Sequence, residues 1–336
     1  MSVIPASTMR ALLLPAPDGP FEMRHLPTPT PAPGEVLVRI HASGVNPLDT
    51  KIRTGAAAHA RHALPAVLGM DLAGTVQAVD QGVTDFRPGD AVYGFTGGIG
   101  GHQGSLADHA AVDARLLALK PAALSMREAA ALPLVFITAW EGLVDRAQVR
   151  PGHKVLVHGG AGGVGHVAIQ LARARGAAVW ATGSAAQVDT IRALGATPID
   201  HEATDVDTYL EEHTAGQGFD VVCDTVGGAV LDASFRAVRR YTGHVVSSLG
   251  WGTHPLAPLS FRGASYSGVF TLLPLLTGEH RAHHGEILRE ATALADAGLL
   301  KPRMDPLRFT LESAAQAHAR VTSGQAQGKV VVDVLP

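Results

Sequence analysis

The sequence predicts an α/β protein of two domains, a partly closed antiparallel β domain and a parallel, doubly wound sheet. Three observations carry this. The chain has 336 residues, more than one ordinary core holds. From Arg10 to Leu119 it reads as short β segments punctuated by Gly and Pro. From Lys154 onward strands alternate with helices, the pattern of a parallel sheet.

The elements follow in order. Glu35–Val45 alternates in hydropathy and stops at Asn46-Pro47; Ala73–Val79 is a second strand, and Arg87–Phe95 is a turn leading into a third. Strands at this spacing with few helices suggest partial closure into a barrel. Met126–Gln148, rich in Ala, Leu and Glu, predicts helix. Next come a strand at Lys154–Gly159, a helix over Val164–Ala174, a strand at Ala177–Thr182 and a helix over Gln187–Leu194. Strands at Phe219–Thr225 and Gly243–Gly250 complete the alternation. Beyond Gly268, a helix over Gly285–Ala297 and a last strand in GKVVVDVL return the chain to the first domain. The expected boundaries are 1–125 and 268–336 for the two segments of the β domain, and 126–267 for the doubly wound domain.

Composition narrows the function class. Charged residues are 17% of the chain and apolar ones 46%, a balance that suits a well-buried enzyme and excludes disorder. Net charge is −3 with scattered basic residues, so no footprint for nucleic acid is present. The single cysteine, Cys223, excludes an intrachain disulfide framework and fits a reducing compartment; inside a strand it reads as a small core residue rather than a nucleophile. Met1–Met9 lacks the basic and apolar regions of a leader. The longest apolar stretch, Ala129–Trp140, carries Pro133 and is too short to span a bilayer. A cytoplasmic protein with no membrane partner is expected.

Gly160-Ala161-Gly162-Gly163-Val164-Gly165 matches G-x-G-x-x-G. The motif follows an apolar strand and opens an amphipathic helix, the context in which it signifies dinucleotide binding. Its glycines let the backbone approach a pyrophosphate, and the helix start offers unpaired N–H groups. Sites selective for NAD place an acid about twenty residues on, at the end of the second strand. Here that place reads Ala181-Thr182-Gly183-Ser184-Ala185, with no acid until Asp189. Nothing there repels a 2′-phosphate and Ser184 can donate to one, which favours NADPH; no Lys or Arg stands at 185–187, which weighs against it. His201 reads equally as an adenine-end contact or as a surface residue.

Stretches spread along the whole chain carry a resemblance: Ala42–Gly55, Leu68–Val76, RPGDAVYG, Leu132–Leu143, VLVHGGAGGVG and the terminal GKVVVDVL. Together they resemble the medium-chain dehydrogenase/reductase superfamily, and within it the zinc-independent quinone oxidoreductase (zeta-crystallin-like) branch. The resemblance implies a GroES-like, partly closed β-barrel catalytic domain plus a Rossmann domain, and a homodimer. Zinc alcohol dehydrogenases of the superfamily have Cys where this chain has Asn46, and Gly-His-Glu where it has Gly69-Met70-Asp71. An amide and a thioether do not replace thiolate and imidazole for zinc. The structural zinc lobe of those enzymes needs closely spaced cysteines, and Gly97–His109 has none. No metal is therefore expected; His280, His283 and His284, or His59 and His62, have chelate spacing but read as surface histidines.

Without zinc, hydride can still pass from a nicotinamide to a quinone or an α,β-unsaturated carbonyl, because conjugation already makes the acceptor electrophilic. The resemblance places Asn46 at the cleft mouth, where its amide N–H₂ faces the acceptor oxygen; the competing reading is a turn at Asn46-Pro47. Asp49 and Asp71 order the site or serve as structural ion-pair partners. Lys51 stands where relatives often carry Tyr, so the proton donor is open between a side chain and solvent. Thr138 matches a position beside the nicotinamide, and Gly163 and Val164 offer backbone groups. Thr182 and Gly183 belong to the second strand's end, and Asp224, Thr225, Val226, Gly227, Leu249 and Gly250 to later strand ends bordering the cofactor crevice. Phe270 is placed at the cofactor–substrate pocket or in plain core, and Lys329 in GKVVVDVL is placed at the cofactor. Two further functions compete: an enoyl-thioester reductase, favoured by Lys51 and Arg53 at the rim, and a crystallin-like NADPH-binding protein with a structural or RNA-binding role.

Overall fold

The computed structural model describes residues 8–335, so the expectation for the leader region falls mostly outside the described residues. The chain forms two compact units, residues 1–134 with 272–336, and residues 135–271. The changeovers come later than 125/126 and 267/268. The reason is the short helix Met126–Ala130, which packs on the strands Glu35–Val45 and Asp71–Val79 of the first unit. The long helix expected over Met126–Gln148 is broken after Ala130 and restarts at Pro133–Trp140, because proline suits a first helical turn and not an interior.

In the first unit, Glu35–Val45 is the central strand. It pairs antiparallel with Asp71–Val79 along most of its length and with His109–Asp113 at its start. At its C-terminal end it pairs with Val330–Asp333, which returns from the far end of the sequence. Ala91–Phe95 and Leu117–Leu119 continue the sheet on one side and Phe309–Thr310 on the other. Register shifts at Leu37/Val38 and Ile40/Ala42 bend the central strand, as partial barrel closure requires. A small sheet of Glu22–Pro27, Thr8–Leu14 and Ala66–Val67 completes this GroES-like unit.

The second unit is a six-stranded parallel sheet. Its order is Thr197–Asp200, Ala178–Gly183, Lys154–His158, Val221–Asp224, His244–Ser247, Ser265–Gly268. Chain order reverses at Lys154–His158, which makes the gap between it and Val221–Asp224 the topological switch point where such sheets take ligands. The central strands read as unbroken apolar runs because helices cover both faces: Val155, Leu156, Val157, Val221 and Val222 are all buried. Phe219, Phe235, Tyr209 and Leu231 fill one side of the core. Cys223 is buried here, and desolvation pushes its thiol up to about 12, so it is packing rather than nucleophile. Among the described residues, no helix is long and apolar enough to cross a membrane.

Candidate active site

The glycine motif stands at the switch point of the parallel sheet. The strand Lys154–His158 ends in a turn at Gly159, and the helix Gly165–Ala174 starts six residues later. Gly159, one residue before the expected motif, has φ +71 and is the residue that reverses the chain. A Cβ on Gly165 would lie 2.1 Å from the Gly159 carbonyl oxygen, so only glycine lets the helix start against the turn. The backbone N–H groups of Gly163 and Val164 have no acceptor among the described residues and stand at the start of the helix. They fit an anionic pyrophosphate.

The other strand ends converge on the same place. Gly160 N–H donates to the Thr182 carbonyl (2.9 Å), and Gly159 N–H to the Thr182 hydroxyl (3.2 Å). Asp224 is buried and accepts from the N–H groups of Val226 and Gly227 (both 3.0 Å) and from the Ser247 hydroxyl (2.7 Å). The Thr225 hydroxyl donates to the His158 carbonyl (2.7 Å). Leu249 is half-buried, Gly250 and Val226 are exposed, and Thr138 is buried in the helix Pro133–Trp140. Phe270 is partly exposed and meets Trp251 edge-on at 6.4 Å, so it is not plain core. Three contributors escaped the sequence reading: Gly159, His158 and Ser247. His158 Nδ1 lies 3.1 Å from the Thr182 hydroxyl, and its burial pushes the imidazole down to about 4, which keeps it neutral. A polar residue at the inner end of an apolar strand was the available signal for both His158 and Ser247.

At the second strand's end, Ser184 starts a helical turn, with its N–H on Gln187 Oε1 (3.1 Å). His201 is exposed, and its N–H donates to the Gly183 carbonyl (3.1 Å), which brings it beside Ser184. Asp200 pairs in register with Gly183, but its carboxylate accepts from the Glu202 N–H.

The first unit holds a buried polar cluster at the end of its central strand. Register explains it. Gly44 pairs with Asp71 on one side and Val45 with Val330 on the other, so Asn46, just beyond, falls between Asp71 and Lys329. Asn46 Nδ2 donates to Asp71 Oδ2 (2.8 Å), and Lys329 Nζ donates to Asn46 Oδ1 (2.5 Å). Asp71 Oδ1 accepts from the Leu134 N–H (2.9 Å), and the Asn46 N–H donates to Asp49 Oδ2 (2.8 Å). All four side chains are 4% exposed or less. Desolvation pushes Asp49 up to about 7, opposed by the Asn46 N–H, and Asp71 up to about 6, opposed by Lys329. Burial also lowers Lys329, while Asp71 and Asp49 hold it up. Ser43 and Ser105 share a hydrogen bond (2.6 Å) beside this cluster, and Ser105 donates to the Asp71 carbonyl (2.8 Å).

Three expectations change here. Asn46 also caps the helix Pro47–Arg53, but it is no freely presented donor: its oxygen and one N–H are committed inside the cluster. Lys51 is exposed on that helix, two positions past buried Asp49 and so on the opposite face, and does not join the cluster. Lys329, expected at the cofactor, has its ammonium turned inward onto Asn46 and the Val45 carbonyl (3.4 Å).

A zinc ion does not fit this donor set. Met70 is wholly buried, Asn46 offers an amide, and an ammonium already occupies its oxygen and would oppose a dication. The histidines of chelate spacing are not gathered: His284 is buried near Phe95 at a ring distance of 5.9 Å, while His283 pairs with Glu286 (3.1 Å). Among the described residues, no group of three or more His, Cys, Asp or Glu could hold a metal ion.

Comparison with known proteins agrees with this architecture. Residues 32–122 match the alcohol dehydrogenase GroES-like domain, and residues 194–332 match the family described as zinc-binding dehydrogenase. The chain is 36% identical to 2-methylene-furan-3-one reductase of Solanum lycopersicum, over 90% of this chain and 72% of that protein. It is 34% identical to the chloroplastic NADPH-dependent alkenal/one oxidoreductase of Arabidopsis thaliana, with the same coverage of 90% and 72%. The chain spans only 13% of the length of another relative, the spectinabilin polyketide synthase system protein NorB of Streptomyces orinoci, at 36% identity over 91% of this chain. A solved structure of an alcohol dehydrogenase superfamily protein from Novosphingobium aromaticivorans superposes with a TM-score of 0.96 at 60% identity, covering 98% of this chain and 100% of that one. The chain belongs to the alcohol dehydrogenase superfamily of medium-chain dehydrogenases/reductases.

Proposed function

We propose that the protein is an NADPH-dependent, zinc-independent reductase of α,β-unsaturated carbonyls or quinones. The observation that carries this is the buried Asn46–Asp71–Lys329 cluster, whose amide, carboxylate and ammonium do not suit a zinc ion. An alcohol must lose its proton before it gives up hydride, and a metal is the usual means of drawing that proton off. A conjugated carbonyl needs only a hydrogen-bond donor at the oxygen where charge develops.

The chemistry that a bound dihydronicotinamide would supply is hydride, delivered to the β-carbon of the alkene. The C=C pair would then form the new double bond between the α-carbon and the carbonyl carbon while the C=O pair moves onto oxygen, giving an enolate whose α-carbon takes a proton from water and leaves hydroxide to the solvent. The strand ends around Gly159–Gly165, Asp224 and Ser184 would hold the dinucleotide, with the free N–H groups of Gly163 and Val164 on its pyrophosphate. Asn46 would donate its remaining amide N–H to the enolate oxygen. NADPH is favoured because the end of Ala178–Gly183 presents Ser184 and His201 in place of an acid. The two reductases named above, one of them NADPH-dependent, support the same reading.

A second reading is reduction of an activated alkene carried on a thioester, and the likeness to a polyketide synthase system protein supports it. NADPH oxidation by the purified protein should be followed against quinones, enones, enoyl thioesters and saturated ketones. Turnover of enones or quinones well above enoyl thioesters supports the first reading, and the reverse order supports the second. Saturated ketones turned over as well as enones would overturn both.

A further inference from the structure

Lys329 is buried at the start of the returning strand, with its ammonium on the Asn46 amide oxygen and the Val45 carbonyl. A lysine at 4% exposure is costly to bury, and cheaper apolar residues pack equally well at the start of a strand. It is no simple ion-pair partner either, because its ammonium does not bond a carboxylate. It bonds Asn46 Oδ1, and the same amide donates to Asp71 Oδ2 (2.8 Å). The order in space is therefore ammonium, amide, carboxylate.

That order has a chemical consequence. A cation on an amide oxygen draws electron density from the nitrogen, and an anion on one N–H stabilises positive charge at the nitrogen. Both favour the O⁻–C=N⁺ resonance form and strengthen the second N–H as a donor; polarisation of this kind adds roughly 10–30% per bond in a hydrogen-bonded chain. The two partners also fix which way the amide faces, since a flipped amide would set N–H₂ against the ammonium and oxygen against the carboxylate. No other acceptor for the second N–H exists among the described residues.

We propose that Lys329 is a positioning residue for the reaction: together with Asp71 it orients and polarises the Asn46 amide, whose free N–H then receives the charge developing on the acceptor's oxygen. This rests on the enone or quinone reading above. It assigns Lys329 to the acceptor's side of the chemistry rather than to the dinucleotide.

The test compares wild type, Lys329→Met and the charge-matched pair Lys329→Met with Asp71→Asn. Measured are kcat and KM for the best acceptor, the Kd for NADPH by fluorescence, and solvent exchange of the Asn46 side-chain amide protons by ¹⁵N NMR. The pair removes one buried charge of each sign, so it stays folded even where Lys329→Met does not. The expected result is a 10- to 100-fold lower kcat in the pair, with NADPH Kd within about twofold of wild type and faster exchange of the Asn46 amide. Wild-type kcat in the folded pair shows Lys329 to be structural and overturns the proposal. A weakened NADPH Kd with unchanged kcat at saturation overturns it in favour of a nucleotide contact. If wild type reduces no acceptor of the panel, the functional reading falls. The amide exchange then still decides whether Lys329 holds Asn46, and unchanged exchange in the pair refutes that.

Discussion

Asn46 is the residue at which a local and a tertiary role coincide. Before Pro47 it ends a strand and caps a short helix, and across the sheet it bridges Asp71 and Lys329. Asn46→Ala should therefore do two things at once. It should lower kcat by about 10²–10³, as loss of one well-placed donor does. It should also destabilise the fold by about 2–4 kcal/mol, because a buried carboxylate and a buried ammonium lose their shared partner. Thermal melts alongside kcat per folded molecule check both, and unchanged turnover would remove Asn46 from the chemistry. Asp49 makes a separate prediction. Its Oδ1 is buried without a partner, and its carboxyl is raised from 3.8 to about 7. The folded state thus holds a proton that the unfolded chain releases, and this group's contribution to stability falls as pH rises from about 4 to about 7, by at most about 1.4 kcal/mol per pH unit. Asp49→Asn should gain in Tm over wild type between pH 5 and pH 8. A Tm difference that stays flat over that range would show Asp49 to be ionised throughout.

At the scale of elements, the glycine turn was legible because its geometry is local. The strand, the turn and the helix start lie within about a dozen residues, and each glycine has a steric reason. Gly165→Ala would push a methyl group to within 2.1 Å of the Gly159 carbonyl oxygen. The helix start must shift, so NADPH affinity should fall at least about tenfold by titration, with a modest loss of Tm. The loop after Ala178–Gly183 carries the proposed NADPH preference through what it lacks, an acid at Ser184. Ser184→Asp should move preference toward NADH, since a carboxylate repels a 2′-phosphate and accepts from ribose hydroxyls; the ratio of kcat/KM for the two cofactors reads this directly. Helix limits were less legible. Met126–Ala130 looked continuous with the segment beyond Pro133, yet it belongs to the first unit through its packing on two strands. Gly44 records that packing, for a Cβ there would stand 2.2 Å from the Ala130 carbonyl oxygen.

For the whole molecule, two sets of buried groups set opposite pH trends. His158 and His318 are each buried and pushed from 6.5 down to about 4, desolvation being the main cause. The unfolded chain binds protons there that the fold refuses, so their contribution to stability is lost as pH falls from about 6.5 to about 4. Asp49 and Asp71 act the other way over much of the same range. His318→Leu should accordingly lose less Tm than wild type between pH 7 and pH 5, and an identical loss would show that His318 takes up its proton without unfolding. At the same scale, the donor set predicts a protein that carries less than one tightly bound zinc per chain and is indifferent to chelators. Elemental analysis finding stoichiometric zinc, with activity lost on chelation, would reverse the reading of Asn46 and Met70.

The sequence by itself determined the two-unit α/β architecture and the strand–glycine–helix motif. Each of these depends on neighbours in the chain or on the chemistry of a single residue type. Hydropathy periods and turn residues can both be read one window at a time. Only the tertiary structure decided what Lys329 touches. It lies 283 positions from Asn46, and the two meet because the returning strand Val330–Asp333 pairs with the end of Glu35–Val45 in one register. A slip of one residue in that pairing would turn the lysine to the other face of the sheet. Tertiary packing likewise made Asp49 and Asp71 buried acids and left Lys51 in solvent. Burial is a property of the assembled layers and has no signature in the residues themselves.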